Sequence, residues 1–296
     1  MAGEARTAGR KRGTSAMIGV FDSGHGGLTV QRHLSAILPG ESFLYLGDHA
    51  RAPYGSRPPG EVLAFTQAAC ARLFEHGCGL VILACNTAAT RALRPLQQVW
   101  LPRVAPERRI LGIVVPTIEA MTGMPWAGGP PLVRAPLAPA TIGVFGTKLT
   151  VESDVYPIEV AKRAPEVSVI QEACLDLAMA IERDAAQSDL EALVRASTTA
   201  LLAKLQGRRL DAVALACTHY PLVASLFMRH LPPATLMLSQ GELTALSLRA
   251  YLERHPRFRR QPGEEPGCRY LTTGDPAAVT RIATRFAGQP VPFATA

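Results

Sequence analysis

Short apolar runs alternate with amphipathic stretches along most of the chain. Ile18–Phe21, Ser42–Leu46, Leu80–Ala84, Ile110–Val114, Thr141–Phe145, Val167–Ile170, Leu210–Ala216, Thr235–Leu238 and Arg269–Leu271 read as strands. Most are unbroken blocks of Val, Ile, Leu and Ala, the pattern of strands covered on both faces rather than on one. Helical windows lie between them. Glu61–Glu75 places Val62, Phe65, Ala69 and Leu73 on one side and runs into Gly77, a residue suited to the left-handed position past a helix end. Asp189–Gln206 repeats the scheme and is expected to stop at Gly207. Strands alternating with helices predict an α/β fold with largely parallel sheets. From Gly123 to Pro139 the prolines at 125, 130, 131, 136 and 139 exclude a helix, so this stretch is expected to be a loop at or near a lobe boundary.

The chain repeats itself. Ile18-Gly19-Val20-Phe21 recurs as Ile142-Gly143-Val144-Phe145, 124 positions on. Val81-Ile82-Leu83-Ala84-Cys85-Asn86-Thr87 recurs as Val213-Ala214-Leu215-Ala216-Cys217-Thr218-His219, 132 positions on. Two nearly equal offsets describe one duplication with small insertions, hence two related lobes. Each lobe ends a strand in a cysteine followed by hydrogen-bonding residues.

Length and charge narrow the class. At 296 residues, 48% hydrophobic and 19% charged, the chain is long enough for two ordinary globular lobes and needs no disulfide staples. The six cysteines are expected to be reduced thiols, and none shows zinc-ligand spacing. The longest apolar run, Leu80–Cys85, is too short to span a bilayer. The basic first sixteen residues lack the hydrophobic core of a secretory signal, so they read as a flexible extension and the protein as cytoplasmic. Of the net charge of +7, residues 1–12 carry three units through Arg6, Arg10, Lys11 and Arg12 against Glu4. The remaining arginines are scattered or, at 254, 257, 259 and 260, form an exposed run without interleaved aromatics. A nucleic-acid partner is not expected, nor a membrane one.

In open parallel sheets ligands bind beyond the C-terminal strand ends. The turns falling there are Asp22-Ser23-Gly24, Asp48 to Gly55, Cys85-Asn86-Thr87, Gly146-Thr147 and Cys217-Thr218-His219. They are rich in donors, which suits a small anionic polar ligand. The glycines after Asp22 do not make a dinucleotide fingerprint, because position 29 is Thr, and no Walker loop is present. A lone cysteine at a strand end is ordinarily a small hydrophobe. Equivalent cysteines in two halves that face each other suit one chemistry, which is removing a proton from one face of a carbon and returning one to the other. A thiol, with an ordinary pKa of about 8.5, can serve as either acid or base. Asp22 is placed to assist Cys85, and His219 to assist Cys217. Taken alone, Asp22 could cap the following helix and His219 could make a structural hydrogen bond.

These segments, with Gly47-Asp48-His49-Ala50-Arg51-Ala52-Pro53-Tyr54-Gly55-Ser56, Gly146-Thr147-Lys148-Leu149-Thr150 and Thr272-Thr273-Gly274-Asp275, closely resemble the glutamate racemases of the aspartate/glutamate racemase superfamily, in family order from Ile18 to about Phe286. The resemblance implies a cofactor-independent racemase interconverting L- and D-glutamate and supplying D-glutamate for peptidoglycan. It implies that Cys85 acts on the α-proton of the D-enantiomer and Cys217 on that of the L-enantiomer, assisted by Asp22 and His219. Ser23, Tyr54, Gly55, Asn86, Thr87 and Thr218 match substrate-binding positions together with Asp22 and His219, and Thr147 and Thr150 are alternatives for a further contact. Glu182 matches a glutamate that interacts with the histidine, in a stretch where Leu175 and Met179 replace the usual prolines. His25 replaces a commonly apolar residue and is expected to face solvent. The same resemblance implies a discontinuous first lobe, residues 17–113 with 241–296, around a second lobe at 114–240. A homodimer is compatible with it. The alternatives of another class or substrate are an aspartate-type racemase of the same superfamily and a non-catalytic amino-acid-binding protein.

Overall fold

The structure is a computed structural model and describes residues 17–128, 130–131, 139–263 and 265–296. The expected N-terminal extension, residues 1–16, and part of the Pro/Gly-rich stretch lie outside the described residues. The chain runs β1 (Ile18–Asp22), α1 (Leu28–Ile37), β2 (Ser42–Gly47), α2 (Pro59–Glu75), β3 (Leu80–Leu83), α3 (Asn86–Pro95), α4 (Leu101–Val104), β4 (Arg109–Gly112) and α5 (Val114–Thr122). It continues through β5 (Ala140–Gly146), α6 (Lys148–Val151), α7 (Val155–Arg163), β6 (Val167–Ala173), α8 (Leu177–Glu182), α9 (Gln187–Ala203), β7 (Ala212–Ala216), α10 (Ala224–His230) and β8 (Leu236–Leu238). It closes with α11 (Gln240–Arg254), β9 (Gly267–Thr272), α12 (Pro276–Ala287) and β10 (Phe293–Thr295). No helix among the described residues is long and apolar enough to cross a membrane.

The strands form two parallel sheets, ordered β10-β9-β2-β1-β3-β4 and β6-β5-β7-β8. Every residue of β1, β2, β3, β5 and β7 is buried, which accounts for their unbroken apolar sequences. The sequence repeat corresponds to one topology built twice: β1 lies between β2 and β3, and β5 lies between β6 and β7. In both sheets the chain reverses its direction of winding at the central strand. That opens a crevice at the C-terminal end of β1 and of β5.

Local chemistry explains several element ends. Gly77 adopts φ 92° just past the end of α2, and Gly123 at φ 68° terminates α5, conformations costly for any residue with a Cβ. Two sequence-based boundaries need correction, and one strand has no counterpart in the sequence pattern. The run Ile110–Val114 is strand only to Gly112; Val114 already opens α5, because an apolar run this short carries no period that separates strand from helix. The helix read as Asp189–Gln206 is Gln187–Ala203, and Gln206 and Gly207 both take positive φ in the turn that follows. The edge strand β10 has only three residues behind Pro290 and Pro292, too short to show alternation.

A buried polar cluster joins the sheets beside this crevice. Gln240, at the start of α11, donates to Thr117 Oγ1 of α5 at 2.9 Å and to the Tyr156 hydroxyl of α7 at 2.8 Å. It also accepts from the Asn86 amide at 2.8 Å, while Tyr156 donates to Asn86 Oδ1 at 2.7 Å. All four side chains are buried, so losing one partner strands the others without water. Gln240→Leu is expected to lower the unfolding free energy by about 1–3 kcal/mol in urea titrations. An unchanged midpoint would show that the cluster contributes nothing to stability.

Candidate active site

Residues from both sheets meet at the facing C-terminal strand ends. Asp22 closes β1 and is fully buried. Its Oδ1 accepts from the Gly24 N–H at 2.9 Å and its Oδ2 from Thr218 Oγ1, across the crevice, at 3.1 Å. The helix that follows is capped at Gly27 without a side chain, so Asp22 is not that helix's N-cap. Thr29 Oγ1 makes a second bridge to the Thr218 carbonyl at 2.9 Å. This closeness is why the turn is rich in glycine. A Cβ on Gly26 would collide with Thr218 and His219, and one on Gly27 with Asp22 and the Tyr45 hydroxyl.

Cys85 follows β3 at the N-cap of α3. Its sulfur accepts from the Ala88 N–H at 3.5 Å and its thiol donates to Ser23 Oγ at 3.6 Å. Thr87, two residues on, lies 3.0 Å from Thr147 Oγ1 and 3.2 Å from Thr150 Oγ1, so both alternatives, one capping α6 and one within it, reach the same place. Gly55 packs directly against Thr147. Tyr54 lines up beside it, but its hydroxyl donates to Asp48 at 2.6 Å. The Asn86 amide is engaged by Gln240 and Tyr156.

Cys217 follows β7 as Cys85 follows β3. Its sulfur is 3.9 Å from His219 Nδ1, and His219 Nε2 is 2.6 Å from Glu182 Oε2 at the end of α8. The other Glu182 oxygen is bonded by His25 Nδ1. The expectation that His25 faces solvent is therefore wrong. The residue is 3% exposed, stacked on Phe286 with ring centroids 5.5 Å apart, and its Nε2 lies 3.0 Å from the Val279 carbonyl. The turn after β1 carries it inward, which a residue-by-residue polarity reading misses. Its one sequence signal is a histidine flanked by glycines at the C-terminal end of a buried strand.

Burial and partners set the ionisation of these groups. Burial pushes the Asp22 carboxyl up to about 6, against the opposing charge of His219 and the Gly24 and Thr218 hydrogen bonds. Burial, and then the charge of Asp22, raises the Cys85 thiol to about 12, opposed by the Ala88 N–H and Ser23. Burial disfavours imidazolium at His219, but Cys217 and Glu182 outweigh it and raise that group to about 10. Burial would likewise raise Glu182, yet hydrogen bonds and charge from His219 and His25 hold it well below the carboxylate range. At neutral pH, Cys85 is thus a thiol, whereas Glu182 and His219 form an ion pair. Among the described residues no group of three or more His, Cys, Asp or Glu side chains is arranged to hold a metal ion.

A cavity of about 240 Å³ reaches Cys217 and Thr218 from beside Arg32 and His33. A larger one of about 390 Å³, lined by Leu93, Val114, Trp126 and Leu248, is mostly apolar and includes neither thiol. The smaller borders Cys217 but not Cys85.

No family model matches the chain. A glutamate racemase of Phenylobacterium zucineum is 48% identical to it over 285 residues, covering 93% of this chain and 98% of the relative. Among solved structures, a glutamate racemase isoform of Bacillus anthracis superposes with a TM-score of 0.80 at 29% identity, covering 95% of this chain and 97% of that one. The glutamate racemase of Thermus thermophilus, solved with β-chloro-D-alanine, gives 0.75 at 30% identity, covering 96% and 98%.

The Glu182–His219 pair makes stability depend on pH in a defined direction. His219 rises from 6.5 to about 10 on folding, so its contribution is complete below 6.5 and is lost as pH rises through about 10. Glu182 falls below 4.5, so its share is present above 4.5 and is lost as pH drops below that value. Wild type should exceed Glu182→Gln in urea stability by about 2 kcal/mol between pH 4.5 and 6.5, with the gap closing toward pH 10. A gap that stayed constant from pH 6.5 to 10 would contradict the ion pair.

Proposed function

The chain belongs to the glutamate racemase family, and we propose that it interconverts L- and D-glutamate by proton transfer between two thiols. The observation that carries this reading is the equivalent placement of Cys85 and Cys217, which follow matching strands of the two sheets around the Asp22–Thr218 bridge. In one direction the Cys85 thiolate takes the α-proton of D-glutamate, and the Cys217 thiol delivers a proton to the opposite face of the resulting carbanion. The reverse reaction starts from the Cys217 thiolate and L-glutamate. One proton leaves and one arrives, so the cycle ends with the protonation states of the thiols exchanged.

The Cys85 thiol must ionise before it can act. With burial holding it high, the α-ammonium of bound glutamate supplies a positive charge beside the thiol, and Asp22, whose carboxyl is raised to about 6, can take the thiol's proton. At the other side the His219 imidazolium stabilises the Cys217 thiolate. Negative charge growing beside the substrate carboxylate is met by N–H groups at the start of α3 and by the hydroxyls of Ser23, Thr87 and Thr218 in a site with little water. Asn86 contributes its backbone N–H there, because its amide is held in the Gln240 cluster. Tyr54 and Gly55 shape the wall against Thr147, and Glu182 orients His219. No electron-sink cofactor is required. The product D-glutamate would supply peptidoglycan synthesis in the cytoplasm, and the lobes at 17–113 with 241–296 and at 114–240 would close around it.

Incubating the enzyme with L-glutamate or L-aspartate in heavy water, and following α-deuteration by NMR, tests the substrate. Exchange and loss of optical rotation are expected with glutamate; exchange with aspartate alone would replace the proposal with an aspartate-type racemase, and ligand-dependent thermal stabilisation without exchange would leave only a binding protein. Cys85→Ser and Cys217→Ser should each lower racemisation by roughly 10²–10⁴-fold. Near-normal activity in both variants would rule out the two-thiol mechanism.

A further inference from the structure

We propose that His25 is a positioning residue for this reaction, which fixes Glu182 from the far side so that Glu182 holds His219 against Cys217. The inference rests on the racemase reading and deepens it. Four groups from separate elements stand in line. His25 comes from the turn after β1, Glu182 from the end of α8, and His219 and Cys217 from the turn after β7. His25 Nδ1 bonds one Glu182 oxygen, His219 Nε2 lies 2.6 Å from the other, and His219 Nδ1 lies 3.9 Å from the Cys217 sulfur.

The chemistry of the His25 ring makes the contact directional. Nε2 lies 3.0 Å from the Val279 carbonyl of α12, which fixes the orientation of the ring. Nδ1 faces a carboxylate oxygen, which only accepts, so Nδ1 is the donor of this contact. Phe286 lies between the histidines, stacked on His25 and edge-on to His219 with centroids 5.3 Å apart, and His49 abuts His25 with centroids 4.3 Å apart. His25 therefore has no room to rotate.

Glu182 does have room. Its side chain is 31% exposed, the least enclosed member of the line, and without a second anchor it could turn to water. The charged and titratable groups around it are His25 and the neutral His49 behind it from the first sheet, and His219 and Cys217 from the second. Arg285 of α12 contacts the carbonyls of Ile181 and Glu182 and pairs with Asp184, so it steadies the backbone of α8 rather than the carboxylate. Among the described residues, only His25 supplies a donor to the carboxylate from the side of the first sheet. Closure of the two sheets thus completes the support of one thiol, whereas the Cys85 hydrogen bonds among the described residues are those to Ser23 and from the Ala88 N–H.

The test reads the His219 imidazole directly, by NMR titration of ring-labelled histidine in wild type, His25→Val and His25→Asn, with the pH profile of kcat/KM alongside. The Asn amide nitrogen occupies about the place of Nδ1 and can restore the donor. In His25→Val the His219 midpoint should fall by about one pH unit, the charge-assisted bond being worth about that much, and kcat should fall about tenfold with KM changed much less. His25→Asn should keep both near wild type. If His25→Val fails to fold, His25→Gln takes its place, since its longer amide overshoots the Nδ1 position, and the Asn–Gln difference carries the same expectation. An unchanged His219 midpoint in the donor-free variant, or equal shifts in all variants, would overturn the proposal. Wild type that exchanges no α-proton of glutamate would instead sink the racemase reading, and the two failures are thereby distinct.

Discussion

Ionisable groups enclosed between two sheets have little water to satisfy them, so each must find its partner in protein. This constraint organises the cleft. Asp22 of the first sheet is met by Thr218 of the second, and Glu182 of the second is met by His25 of the first as well as by its neighbour His219. Each bridge is made only when the sheets are apposed. The polar cluster around Gln240, which ties α3, α5, α7 and α11 together, serves the same end farther from the thiols. Stability and the geometry of the site therefore share their interactions, and the pairs that hold the halves together are also those that set the ionisation of the reactive groups.

Duplication of a parallel three-strand unit sets one cysteine just past a matching strand of each sheet. Parallel strands direct all their C-terminal turns to one edge, and the two edges meet here across the Asp22–Thr218 hydrogen bond. The duplication is exact in topology but not in chemistry. Cys85 is embedded at a helix N-terminus beside a buried carboxylate and rises to about 12. Cys217 stands next to an imidazole held near 10 by a carboxylate. The Cys85 side therefore carries a buried carboxylate, whereas the Cys217 side carries an imidazolium.

Much of the fold was legible before any coordinates. Unbroken runs such as Val81–Ala84 and Val213–Ala216 marked fully buried strands, and the recurrence of Ile-Gly-Val-Phe exposed the duplication. The turns carrying Asp22, Cys85, Thr87, Cys217, Thr218 and His219 could be gathered at one edge by the general rule for parallel sheets. Less was legible where local pattern is weak. Val114 lies in an apolar run that serves strand and helix equally, and the three residues of β10 are too few to announce a strand. His25 was misplaced because a polar residue in a glycine-rich turn carries no local mark of burial; its enclosure comes from Phe286, Val279 and Glu182, far away along the chain.

What the amino-acid order determined by itself was the set of elements, their parallel arrangement, and the chemical identity of the groups at their ends, because strand periodicity and turn composition are local properties. Which of those groups touch was decided only by the tertiary structure. The Asn86 side chain is committed to Gln240, Tyr54 to Asp48, and Glu182 to two histidines, pairings between residues as much as 157 positions apart. Such pairings follow from the angle and separation at which two sheets settle, a balance of packing over the whole interior that no short segment encodes.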